Sequence, residues 1–169
     1  MALPLSVGTE SVCELMDFRL REPADPAVLP ERLTAAMPEG IRVLEAYEPE
    51  RKCALIKWLR ISGRLEYDRA EPEAAARQLC ELFSRSELII TRKTKRGEGE
   101  TDIRPAVREI AFAPGAGQVT LQAVISAQEP TLNPAHLVAA VERYLPELAP
   151  DFSVFRREAL FDAEMQAFR

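Results

Sequence analysis

Residues 59–84 read LRISGRLEYDRAEPEAAARQLCELFS, and two periodicities meet inside that stretch. Leu59, Ile61, Leu65 and Tyr67 alternate with Arg60, Ser62, Arg64 and Glu66, the period of two expected of a strand with one face on a core. A few residues on, the period becomes helical. Ala75, Ala76, Leu79, Leu82 and Phe83 make one stripe, with Glu73, Arg77 and Glu81 on the wet side. Pro72 suits the first turn, where its missing N–H has no partner to lose. A strand feeding an amphipathic helix predicts a sheet with helices laid on it.

The same signals recur on either side. Asp25-Pro26 and Asn133-Pro134 open two more helices, over about 26–37 and 134–145, with Asp25 and Asn133 as N-caps. Leu29, Leu33, Ala36 and Met37 line the first, before Pro38 and Gly40 end it. Leu137, Val138, Val141, Tyr144 and Leu145 line the second, before Pro146. Alternation predicts strands over 14–20, 41–48, 88–94, 107–113, 118–127 and 152–161, and Pro114-Gly115-Ala116-Gly117 reads as a hairpin turn. The residues before the central strand, 53–58, suit strand or helical turn equally.

The order predicts an α+β fold, an antiparallel-rich sheet with about three helices on one face. The split βαβ of ferredoxin-like folds is its nearest template, once complete and once in part. We read 1–169 as one domain, with 1–50 a first βαβ unit, 51–161 a second and extended one, and 162–169 a tail. Such a fold carries almost no functional information.

Composition bounds the function classes. The 169 residues are 47% hydrophobic and 29% charged, with 22 basic against 27 acidic side chains and a net charge of −5, so the surface as a whole is not that of a nucleic-acid binder. No stretch approaches the roughly 20 consecutive apolar residues of a membrane span, and the first residues lack a basic region ahead of an apolar one. The expectation is a cytoplasmic protein with no membrane partner. Cys13, Cys53 and Cys80 are too scattered for a disulfide framework or a local metal or cluster motif and are expected to be reduced and packed. The single histidine, His136, falls in the first turn of a helix, where an exposed or capping role is expected. Neither Gly97/Gly99 nor Gly115/Gly117 sits in a phosphate-cradling motif. We expect no catalytic residue and no metal ligand.

One segment departs from this average. Residues 92–108, RKTKRGEGETDIRPAVR, hold six basic against three acidic side chains, a local +3 in a chain of −5. Arg92, Lys93, Lys95, Arg96, Asp102 and Arg104 are therefore candidate binding residues, able to meet phosphates or an RNA backbone. The alternative is a solvated hairpin whose lysines and arginines discourage sheet-to-sheet aggregation. The stretch has no aromatic side chain, so it offers no base stacking. Asp102 and Arg104, one residue apart before Pro105, look like a fixed pair of charges.

ALPLSVGTESVCELMDFRLREP (2–23), PAVLPERLTAAMPEGIRVLEA (26–46), KTKRGEGETDIRP (93–105) and TLNPAHLV (131–138) resemble, in order, the radical-SAM-linked protein family, a bacterial domain of unknown function. The resemblance implies an accessory domain found beside or fused to a radical SAM protein, that protein being its partner in cis or trans. It places any [4Fe-4S] cluster and S-adenosylmethionine on that partner and no cofactor on this chain. It covers Pro4, Gly8, Glu10, Glu14 and Asp17, then Lys95, Gly97, Asp102, Ile103, Arg104 and Pro105, then Asn133 and Pro134. Family members carry a further N-terminal segment ahead of the Leu3-Pro4-Leu5 motif, which implies that this chain lacks it. Glu14 and Asp17 fall in a strand pattern turned toward a core and are candidate buried charges; an acidic group there needs a partner, for which Arg104 is the expected cation. RNA binding through 92–108 is the alternative function.

Overall fold

The central strand runs from Trp58 to Glu66 (β2) in a computed structural model that describes residues 2–94 and 97–168. The elements around it are β1 (Thr9–Ser11), α1 (Leu29–Ala36), α2 (Pro72–Phe83), β3 (Ile89–Thr94), β4 (Gly97–Asp102), β5 (Val107–Gly115), β6 (Gln118–Ser126), α3 (Ala135–Tyr144) and β7 (Phe152–Phe161). β2 pairs antiparallel with β6 on one side and β7 on the other, β5 pairs antiparallel with β6, and short β1 adds parallel to β7. The five-stranded order is β1-β7-β2-β6-β5, with β3 and β4 forming a separate hairpin. The fold is α+β, and β2-α2-β5-β6-α3-β7 is one complete double split βαβ of the ferredoxin-like kind, the hairpin being inserted after α2.

Alternation on β2 decides which face is covered. Leu59, Ile61 and Leu65 are buried with Val119, Leu121, Ala123 and Ile125 of β6, and Leu79, Phe83, Leu137 and Val141 of α2 and α3 close over them. Arg60, Arg64, Gln122 and Arg156 lie on the opposite, uncovered face. Gly63 sits on the covered face because its neighbours leave no room: an added Cβ would stand 2.8 Å from Phe155 Cδ1 and 2.9 Å from Leu121 Cγ.

Just beyond β2, Tyr67 is buried at 6% exposure, and among the described residues its hydroxyl has no hydrogen-bond partner. Burial pushes its phenol up to about 12. The unfolded chain ionises near pH 10, so this contribution to stability is complete below pH 10 and is lost as pH rises toward 12. Tyr67→Phe removes an unsatisfied hydroxyl without changing shape and is expected to stabilise the fold by about 1 kcal/mol. Urea unfolding at pH 8 and pH 11 checks both parts, because the variant also loses the alkaline decline owed to this phenol.

The N-terminal part differs from the sequence expectation. The helix of the first βαβ unit forms, but residues 14–20 and 41–48 enter no strand ladder, and among the described residues the only strand there is β1, at residues 9–11. A period of two makes a strand only when a neighbouring strand carries a ladder of its hydrogen bonds, whereas among the described residues these segments have isolated backbone bonds such as Ala2 N–H to the Leu15 carbonyl and Ile41 N–H to the Pro38 carbonyl. α1 buries none of its residues, and α2 and α3 are the helices that build the core.

Candidate functional site

The basic segment folds into β3, β4 and the turn into β5, and two of its described cations are engaged, Arg104 on backbone carbonyls and Arg108 over the Trp58 ring. Arg92, on β3, is half-buried near His136, whose imidazole is held below its ordinary value first by burial and then by that guanidinium. Lys93 stands opposite Glu98 in the backbone register of β3 and β4. Lys95 and Arg96 lie outside the described residues. Among the described residues the Asp102 carboxylate and the Arg104 guanidinium form no ion pair. Asp102 Oδ1 accepts from the backbone N–H of Leu88 (2.8 Å) and of Arg104 (2.9 Å), pinning the end of β4 to the start of β3. Arg104 donates from Nε to the Arg85 carbonyl at 3.1 Å and from a terminal nitrogen to the Val107 carbonyl. These bonds stitch the chain around the hairpin insertion. Arg104→Ala is expected to cost about 2 kcal/mol, the range for hydrogen bonds from a charged donor, measured as a lower urea midpoint at unchanged slope.

Glu14 and Asp17 part company, and neither meets Arg104. Glu14 is half-buried and accepts from Arg157 at 2.9 Å and from the Ser11 hydroxyl at 2.7 Å. Arg157, 7% exposed on β7, donates its other terminal nitrogen to the Pro4 carbonyl at 2.7 Å, and its buried Nε has no partner among the described residues. Asp17 is exposed, contrary to the expectation of a buried charge, and accepts from the Cys53 thiol at 3.2 Å. The cation that Glu14 needs is thus supplied by the far end of the chain. The signal for it lies in β7: counting by two from buried Phe155 reaches Arg157 on the covered face.

The cysteines divide likewise. Cys13 and Cys53 are half-buried, and Cys80 is exposed on α2 and not packed as expected. Burial pushes the Cys13 and Cys53 thiols up, with Asp17 adding to the rise at Cys53. Thiols held protonated are poor nucleophiles. No three His, Cys, Asp or Glu side chains gather as a metal site among the described residues, so the donor set does not fit an iron–sulfur cluster. No described helix is long and apolar enough to cross a membrane.

Two surfaces stand out that the residue patterns did not single out. On the uncovered sheet face, Arg60 lies over the Phe161 ring at 4.9 Å and Arg108 over Trp58 at 5.4 Å, and a shallow hollow of about 170 Å³ opens between Arg60, Glu109, Ala111 and Gln122. Its arginines are partly neutralised, Arg64 by Glu66 at 2.9 Å and Arg156 by Glu158 at 3.7 Å. The second surface is the N-terminal arm. None of residues 4–55 is buried, and Met16, Phe18, Leu20, Ile41 and Leu44 are between 43% and 62% exposed.

No curated protein and no solved structure matches the chain. A family profile described as an uncharacterised protein conserved in bacteria, DUF2344, matches residues 1–134. That match takes in the arm, β2, α2, the hairpin and the β5–β6 pair, and the chain belongs to this bacterial family of uncharacterised proteins.

Proposed function

We propose that the chain is a cytoplasmic accessory domain of a radical SAM system, binding a partner or substrate and performing no chemistry itself. The observation that carries this reading is the arm: beside a well-packed α+β core, residues 4–55 bury no side chain, and Met16, Phe18, Leu20, Ile41 and Leu44 among them stand exposed. The resemblance of four ordered stretches to the radical-SAM-linked family supplies the partner. The radical SAM protein provides cluster and S-adenosylmethionine chemistry, and this domain provides a surface. Size-exclusion chromatography of the purified chain with the complete radical SAM protein tests the reading. A stable complex, with the chain alone binding no iron and cleaving no S-adenosylmethionine, supports it; no complex at tens of micromolar overturns it. The alternative, RNA binding through residues 92–108, is supported by the local +3. It predicts tRNA binding that weakens with salt and is abolished by Lys95→Glu.

A further inference from the structure

We infer that His136 is a pH-operated latch: in its neutral form it lets the β3–β4 hairpin lie against α3, and its protonation releases the hairpin from that helix. This goes beyond the binding role proposed above and does not depend on it. The hairpin is no part of the five-stranded sheet, and it is held by α3 together with the bonds at its own base, Asp102 to the Leu88 N–H among them. At the C-terminal end of α3 the Tyr144 hydroxyl accepts the Ile89 N–H at 3.0 Å, and Arg143 donates to Glu100 of β4 at 2.7 Å. At the N-terminal end His136 meets Arg92. From Ile89 to Arg92 a strand rises about 10 Å, and from His136 to Tyr144 a helix rises about 12 Å. The two contacts therefore close opposite ends of one interface, with β3 running antiparallel along α3.

The surroundings of the imidazole tolerate only its neutral form. Its Nδ1 is buried and, among the described residues, has no hydrogen-bond partner. Both ring nitrogens carry protons in the charged form, so protonation sets an N–H at Nδ1 with nothing to accept it, and a buried charge without a partner is costly. Arg92, on the facing strand, adds a second cation. No acid offsets them among the described residues: on β4, Asp102 accepts from the Leu88 and Arg104 N–H groups, Glu100 is taken by Arg143, and no carboxylate bears on the imidazole. Glu142 and Arg143 of α3 itself stand about 9 Å or more further along the helix. Burial first, and Arg92 second, hold the imidazole below its ordinary value. Released from the interface it titrates near pH 6.5. Opening therefore takes up a proton, so the docked form is fully stable above pH 6.5 and weakens as pH falls below that value.

His136 is the one histidine of the chain, so nuclear magnetic resonance reads the latch without ambiguity. In the full chain its ring resonances should titrate with a midpoint below 6.5, and Arg92→Gln should move that midpoint upward. A two-stranded hairpin alone is marginal in water, so undocking exposes its amides. Hydrogen–deuterium exchange, corrected for the intrinsic effect of pH, should show β3 and β4 opening at least fivefold more at pH 5.0 than at pH 7.5, while β2 and β6 stay unchanged. One proton allows at most roughly tenfold per pH unit below 6.5. His136→Gln, neutral at both pH values, should abolish the difference. Tyr144→Phe, which deletes the tie at the other end, should loosen the hairpin equally at both. A ring midpoint at or above 6.5, equal opening at the two pH values, or a pH response that survives His136→Gln overturns the latch.

Discussion

Glu14→Ala is expected to destabilise the protein by about 3 kcal/mol, the cost of removing one member of a buried ion pair. Arg157 is the reason: it is 7% exposed, and with Glu14 gone its guanidinium keeps, among the described residues, only the Pro4 carbonyl as partner. The Ser11 hydroxyl loses its acceptor as well. Exposure of about a quarter of the Glu14 side chain lets water replace part of the interaction, so the value falls at the lower end of the buried range. The double-mutant cycle makes the attribution specific. In an Arg157→Met background, where no charge is buried, Glu14→Ala should cost less than about 1 kcal/mol. Asp17→Ala, three residues away but exposed and bonded only to a thiol, should stay within about 0.5 kcal/mol of the parent. Equal effects at Glu14 and Asp17 in urea unfolding would contradict the assignment.

Gly63→Val should cost about 3 kcal/mol, the upper end for overpacking a core. A strand interior ordinarily favours valine over glycine, so propensity alone predicts the opposite sign. Packing decides it, because the new Cβ would lie 2.8 Å from Phe155 and 2.9 Å from Leu121, side chains that are 7% and 2% exposed and have nowhere to retreat. Gly63→Ala meets the same atoms with a single methyl and should cost roughly half as much. Thermal unfolding read by circular dichroism ranks the two variants; a Gly63→Val protein as stable as the parent would mean that the two side chains repack freely.

The parts of the fold that were legible in the sequence are those where two independent signals agreed. β2 and α2 combine clean periodicity with Pro72 at the helix start, β5 and β6 flank a glycine-rich turn, and β7 spans the predicted residues 152–161. Residues 14–20 and 41–48 show the same alternation yet join no strand ladder among the described residues, since periodicity reports that a face is apolar and not where its partner is. β1 is three residues long, too short to show a period, and owes its existence to β7. The candidate site residues divide for a similar reason. Composition marks residues 92–108 as basic, but which cations are spent on carbonyls depends on the hairpin closing beside Arg85 and Val107. Arg157 escaped notice because it stands beside Arg156, and two adjacent arginines read as surface until strand phase turns one inward.

The N-terminal arm as docking surface is tested most directly by the affinity of the complete radical SAM protein for the parent chain and for Phe18→Asp, measured by isothermal titration calorimetry. Phe18 is half exposed and no part of the packed core, so the variant should unfold at the parent's midpoint while binding at least tenfold more weakly. Undiminished binding by a correctly folded Phe18→Asp protein would contradict the assignment of that surface.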